Sequence, residues 1–180
     1  MQEQDLIEKC KNGDEASFSL LITKYKRQLF SYLFHLSGNQ QSAEDLFQET
    51  LIKVWQHMNR LQDNNKFSSW LFSIAHNLAM DFIAKKNNNL ITSLKNAHSL
   101  ISYNDPHTSF INKEETLIIQ SIIDTFPAKQ KEVFLLRVFS GKKFKEIAEI
   151  TNEPLNTVLS HMHYAIQKIK TILDKENGKL

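Results

Sequence analysis

The residues able to do chemistry in this chain of 180 are seven histidines, one cysteine and a scatter of carboxylates and lysines. A zinc-dependent hydrolase needs two histidines at i and i+4 on one helix face. His161 and His163 stand two apart, about 200° around a helix, so they cannot share a metal. His35, His57, His76, His98 and His107 are dispersed along the chain. Cys10 is alone, which excludes an intramolecular disulfide and a cysteine metal cluster, and no activating base stands near it. A glycine-rich phosphate loop is absent from the sequence. The expectation is a protein that is not an enzyme and takes no metal or cofactor.

What remains is chemistry of binding. In "FKEIAEITNEPLNTVLSHMHYAI" a short amphipathic stretch meets a four-residue turn and then a longer one, with Ala148 and Val158 ten residues apart. That spacing lets two helices of a helix-turn-helix cross closely. Asn152 tolerates the left-handed conformation the turn requires, and Pro154 suits a helix start. On the second helix Val158, Met162, Ala165, Ile169 and Ile172 form one apolar stripe, while Thr157, Ser160, His161, Tyr164 and Lys168 lie on or near the opposite, solvent-facing side, with Leu159 and His163 as further candidates for DNA contact. Lys142, Lys143 and Lys145 lie just upstream, placed to touch phosphates beside a groove. A generic helical hairpin with a polar outer face is the plainer alternative.

The elements that must position these groups are helical. The chain holds four glycines and three prolines, and its apolar residues recur every three or four positions. Helices are predicted at 2–11, 14–37, 40–60, 68–86, 112–125, 128–139, 143–150 and 154–175, with Asp14 as an N-cap, Ser42 and Asp45 as a second capping arrangement, and "SGN" at 37–39 as a stop. The Asn- and Ser-rich stretch 87–111 breaks the periodicity and reads as a linker. The fold class is therefore all-α: a helical domain over 1–86, a polar linker over 87–111 and a helix-turn-helix domain over 112–180.

Composition sets limits. With 41% apolar and 23% charged residues, the chain is that of a globular protein. No apolar run approaches the roughly 20 residues of a membrane span, and the polar start "MQEQDLIEKCKNGDE" lacks the apolar core of a secretion signal. A cytoplasmic location without membrane insertion is expected. The net charge of +2 does not announce nucleic-acid binding, and only Arg27, Arg60 and Arg137 among the 22 basic residues are arginines. Guanine readout by bidentate arginine is thus scarce.

Three stretches together resemble the extracytoplasmic-function sigma factors, the small two-domain initiation factors of bacterial RNA polymerase. They are "AEDLFQETLIKVW" (43–55), "FSSWLFSIAHNLAMDFIAKK" (67–86) and "FPAKQKEVFLLRVFSGKKFKEIAEI" (126–150), and the resemblance spans about residues 14–86 and 117–172. On the first, Leu51, Val54, Trp55 and Met58 suit a core, while Asp45, Gln48, Glu49, Ile52 and Gln56 share another face. The resemblance implies that this second face holds core RNA polymerase. On the second, Leu71, Ile74, Ala75, Leu78 and Phe82 suit burial; Trp70, Ser73, Asn77 and the pair Lys85–Lys86 suit stacking and phosphates of single-stranded DNA. The resemblance assigns to them, with Asn64, Asn65 and Lys66 of the preceding loop, capture of the opened −10 element. Trp70 is equally suited to core packing, and Asp81 to a structural hydrogen bond.

The resemblance further assigns the helix after Pro154 to the duplex −35 element. Leu159, His161 and Tyr164 stand where the family usually has basic residues, whereas Thr157, Val158 and Ser160 match. The missing arginines predict weak reading of an A/T-leaning element, through Leu159 on a thymine methyl and hydroxyls of Ser160 and Tyr164. The implied function is delivery of core polymerase to specific promoters, promoter melting and transcription initiation, with an anti-sigma factor as a further partner. The rival reading is a stand-alone helix-turn-helix regulator, which accounts for residues 140–170 but not for the acidic face or the Trp70–Asp81 pattern.

Overall fold

The structure, a computed structural model, describes residues 2–93 and 113–177. Every helix and 3₁₀ turn in it falls in one of two compact units.

The first unit holds α1 (Glu3–Lys11), α2 (Glu15–Thr23), α3 (Lys26–Ser37), α4 (Gln40–His57) and α5 (Phe67–Ser93), with 3₁₀ turns at Met58–Arg60 and Asn64–Lys66. Asp14 caps α2 as expected: its carboxylate accepts from the amides of Ala16 at 3.1 Å and Ser17 at 3.4 Å and from the Ser17 hydroxyl at 2.6 Å. The Ser17 hydroxyl above all holds the Asp14 carboxyl below its usual range. The start of α4 differs from the expectation at Ser42. Gly38, at φ 82°, ends α3, and Asn39 rather than Ser42 is the cap, its Oδ1 accepting from the Ser42 amide at 2.9 Å. The stop signal and the cap are thus adjacent, which leaves no room for a cap three residues on.

The predicted single helix over 14–37 is two helices. The chain tightens at Lys24–Tyr25 through 3₁₀-type bonds, Lys24 to Leu21 and Tyr25 to Ile22. This turn brings the Tyr25 hydroxyl 2.6 Å from Glu3 Oε1 and its ring 5.5 Å from Phe67. No glycine or proline marks the break; a tertiary contact sets it. Conversely, α5 continues through residues 87–93, which the sequence assigned to the linker. Three asparagines cost a helix only a few tenths of a kcal/mol each, too little to stop one already propagating. The remainder of the expected linker, and the apolar Leu94, Leu100 and Ile101 within it, lie outside the described residues.

The core of this unit is formed where α3, α4 and α5 meet, around the fully buried Leu29, Tyr32, Leu33, Val54, Phe67, Leu71 and Phe72. Leu71, Ala75 and Leu78 are buried as the sequence implied, but so are Phe72, His76 and Ala79. Tyr32 Oη lies 2.9 Å from His76 Nδ1 inside this core. Tyr32→Phe is expected to destabilise the unit by about 1–3 kcal/mol, the cost of leaving a buried polar group less well satisfied; urea unfolding measures it.

The second unit holds α6 (Lys113–Asp124), α7 (Ala128–Val138), α8 (Phe144–Thr151) and α9 (Leu155–Asn177). Asn152, at φ 54° and ψ 42°, takes the left-handed conformation between α8 and α9 that its type allows. The Pro154 carbonyl accepts from Thr157 at 2.9 Å and Val158 at 3.1 Å, so the proline precedes α9 at its cap. Val158 and Ala165 are fully buried, α9 packs on α7 and α8, and the helix-turn-helix closes over Ile147, Ile150, Leu135 and Leu136.

Candidate functional site

On α4 the spacing of apolar residues turns Ala43, Leu46, Thr50 and Val54 inward. Trp55, half-buried, packs its ring against Phe18 of α2 in a tilted arrangement with centroids 5.0 Å apart, which helps set the rotation of α4. Asp45, Gln48, Glu49, Ile52 and Gln56 consequently line the outer side, all exposed, and Ile52 is 56% exposed. An isoleucine left open amid carboxylates and amides suits an apolar contact ringed by charge complementarity. Lys53 lies 3.7 Å from Glu49, an exposed i,i+4 pair worth a few tenths of a kcal/mol.

On α5 the outer row runs through Trp70, Ser73, Asn77, Asp81 and Ala84 to Lys85 and Lys86. Asn77 and both lysines are exposed; Trp70 is half-buried, 6.2 Å from the Phe67 ring, and Ser73 donates to the Ser69 carbonyl. Asp81, read from sequence as a maker of structural hydrogen bonds, lies exposed. The 3₁₀ turn Asn64–Lys66 leads into this helix, with Asp63 accepting from the Asn65 amide at 2.9 Å. Asn65 and Lys66 are exposed, Asn64 half-buried. The side chains of Asn64 and Asn65 hydrogen-bond to α1, which the sequence did not signal.

On α9 the outer stripe is Asn156, Leu159, Ser160, His163, Tyr164 and Gln167. Leu159 is 42% exposed and Tyr164 55%, the latter 5.8 Å from the His163 ring. Asn156 and Gln167 share this face at helical spacing, and neither is among the residues expected there. Three residues assigned to the same face stand apart from it. Lys142 is buried, 4% exposed, with its amide bonded to the Leu136 carbonyl and its own carbonyl accepting from Arg137, so its side chain is not open to phosphate. Lys168 is half-buried and donates to the Thr125 carbonyl. His161, also half-buried, points Nε2 toward Glu153 Oε2 at 3.4 Å. Thr157 is half-buried, and Lys143 and Lys145 are exposed.

Glu153 belongs to a charge cluster behind the stripe. Lys129 lies 3.1 Å from Glu132 and 3.5 Å from Glu153, joining α7 to the turn before α9. Burial raises the Glu132 carboxyl above its ordinary value, although Lys129 opposes this through a hydrogen bond and its charge. A carboxyl raised by folding contributes stability below its unfolded value, and that contribution is lost as pH rises through the folded value. Glu132→Gln, which keeps an acceptor for Lys129, is therefore expected to match or exceed the parent's stability at pH 7. That advantage should shrink below about pH 4.5, the ordinary carboxyl value; thermal melts at pH 4 and 7 check it.

Cys10 is buried, and burial pushes its thiol up to about 11, away from nucleophilic chemistry. No described helix is long and apolar enough to cross a membrane.

The fold is thus two helical modules, one with an exposed acidic-amide row on α4 and a polar row ending in lysines on α5, the other with a helix-turn-helix. Residues 21–89 match Sigma-70 region 2, and residues 116–169 match Sigma-70, region 4. The chain is 30% identical over 166 residues to the ECF RNA polymerase sigma factor SigW of Bacillus subtilis, covering 87% of this chain and 89% of that one. It is 25% identical to the RNA polymerase sigma-H factor of Pseudomonas aeruginosa, covering 96% and 94%. In fold it is similar to CnrH, solved in complex with the cytosolic domain of CnrY, with a TM-score of 0.72, 18% identity and coverage of 96% and 97%. The chain belongs to the extracytoplasmic-function sigma factors. It binds core RNA polymerase and promoter DNA and acts in promoter-specific transcription initiation.

Proposed function

We propose that the three surfaces divide this work. The exposed row Asp45, Gln48, Glu49, Ile52 and Gln56 docks core polymerase. The turn Asn64–Lys66, with Trp70, Ser73, Asn77, Lys85 and Lys86, receives the unpaired −10 strand and so favours the melted promoter. The stripe Leu159, Ser160, His163 and Tyr164, with Thr157 at its edge, meets the −35 major groove, while Lys143 and Lys145 touch flanking phosphates. Residues 1–86 and 112–180 then act as separate binding modules, and α5 carries the first of them on to Ser93. The protein works in the cytoplasm by binding alone, without covalent chemistry, and an anti-sigma factor is a fitting partner for the same surfaces.

The observation that carries this reading is Ile52, open at the centre of an acidic-amide row on a helix whose opposite side is core. Co-elution with core RNA polymerase tests it. For the −35 module, Lys143→Ala with Lys145→Ala is expected to lower the salt dependence of promoter binding by the holoenzyme. The slope of log affinity against log salt should fall by up to about 2, roughly 0.9 for each phosphate no longer neutralised. Base preference at −35 should be unchanged. Tyr164→Ala should instead alter base preference and leave the slope as it was. Filter binding across about 50–200 mM salt, the range over which such phosphate neutralisation is felt, separates the two.

A further inference from the structure

The first helix lies outside the residues matched to region 2. Its inner side is spent on the core, where Leu6, Ile7 and Cys10 are buried. Its outer edge carries Gln4, Glu8 and Lys11, at i, i+4 and i+7 on one face. All three reach the turn Asn64–Lys66 across more than fifty residues of sequence. Lys11 Nζ donates to Asn64 Oδ1 at 2.8 Å, and Asn64 Nδ2 donates to Glu8 Oε1 at 2.6 Å. Gln4 Nε2 donates to Asn65 Oδ1 at 2.9 Å, while Asn65 Nδ2 donates to Asp63 Oδ1 at 3.1 Å. Lys11 also pairs with Glu8 at 3.3 Å, closing a triangle with Asn64.

These bonds change what the two asparagines can do. The amide oxygen of each accepts one bond and the amide nitrogen of each donates one, so both heads are oriented by the protein, each with one N–H and one lone pair still to give. Asn64 is held by a carboxylate on one side and an ammonium on the other, both charge-assisted bonds of the stronger kind. The Glu8 carboxyl is lowered below its usual range by the Asn64 bond first and Lys11 second, so it is ionised wherever the protein works.

We propose that Glu8 and Lys11 are positioning residues for promoter selection: through Asn64 they hold the 62–66 turn in the shape that admits an unpaired −10 base, so that α1 sets the stringency of −10 recognition. The proposal rests on the reading of that turn as part of the −10 site. Asn64 then acts by framing the turn, and the base is met by what the frame presents, the backbone of the turn and Lys66.

The experiment uses holoenzyme reconstituted from core polymerase and the full chain. The parent first selects a promoter from a library randomised across −10; single-base substitutions in that element supply the competitors. The readout is the ratio of transcript from the selected and the substituted promoters, for Glu8→Ala, Glu8→Gln, Lys11→Ala, Asn64→Ala, Lys66→Ala and the pair Glu8→Ala with Asn64→Ala. Glu8→Ala and Lys11→Ala are expected to reduce the ratio roughly three- to tenfold, the size of one or two missing hydrogen bonds. Core binding should be unchanged, since the outer row of α4 is untouched, and each variant should remain folded at the assay temperature, Glu8 being exposed and Lys11 half-buried. Glu8→Gln, whose amide oxygen still accepts from Asn64, should keep most of the discrimination. The double variant should be no worse than Asn64→Ala alone, because both changes break one linkage. Parent-like ratios in the Glu8 and Lys11 variants, with altered ratios for Asn64→Ala or Lys66→Ala, would overturn the role of α1 while sparing the −10 site. Effects of Glu8→Ala and Asn64→Ala that simply add would overturn it too. Parent-like ratios in every variant, Lys66→Ala included, would remove the turn itself from the −10 site.

Discussion

Asp45→Arg combined with Glu49→Lys is expected to abolish co-elution of the protein with core RNA polymerase. Both carboxylates stand exposed on α4, flanking Ile52, which is 56% exposed. An acidic row of this kind docks on a basic surface, and two reversals would set like charges against each other across a desolvating contact. Such juxtapositions cost several kcal/mol, so affinity should fall by at least about 100-fold. The fold should survive, because Ala43, Leu46, Thr50 and Val54 on the other side are untouched. The one internal cost is repulsion between Lys53 and the ammonium introduced by Glu49→Lys, a few tenths of a kcal/mol. Glu15→Lys, an exposed carboxylate on α2 rather than α4, is the control and should co-elute. Retained co-elution of the double variant would place the polymerase contact elsewhere. Tight binding of duplex promoter DNA by the free protein, with no polymerase association, would mark a stand-alone regulator instead.

Phe67→Ala should have the largest effect on stability, about 3–5 kcal/mol. Phe67 is fully buried and opens α5 directly after the Asn64–Lys66 turn. Its ring lies 5.5 Å from Tyr25 and 6.2 Å from Trp70, so it joins the break between α2 and α3, the turn and the outer row of α5. Removing it opens a cavity at the point where three elements depend on one side chain. Urea unfolding should show the loss in the first unit, and transcription from the selected promoter should fall with it. The unit around the helix-turn-helix has its own core and should keep its own melting transition. Phe67→Leu, which refills most of the volume, is expected to recover more than half of the stability removed by Phe67→Ala.

Helix existence was legible in the sequence because low glycine and proline content and a three-to-four-residue apolar period leave no other way to bury the apolar side. The row on α4 was legible for the same reason: once Val54 and Met58 face inward, the helical period sends Asp45, Gln48, Glu49, Ile52 and Gln56 outward together. Asn152 showed the turn, since few other residues enter the left-handed region at so little cost. Local chemistry was enough for each of these.

What the tertiary structure decided were matters of partnership. The break at Lys24–Tyr25 has no local breaker; it follows from Tyr25 finding Glu3 and Phe67. Lys142 counts as a surface lysine until the turn after α7 draws it inward, and His161 and Lys168 belong to the groove face until Glu153 and the Thr125 carbonyl claim them. Gln4, Glu8 and Lys11 look like ordinary solvated residues of a first helix, and only the folded chain brings them to Asn64 and Asn65. Periodicity states which side of a helix a residue occupies. Which distant group waits on that side depends on loop closure and packing, and no spacing within the sequence encodes it.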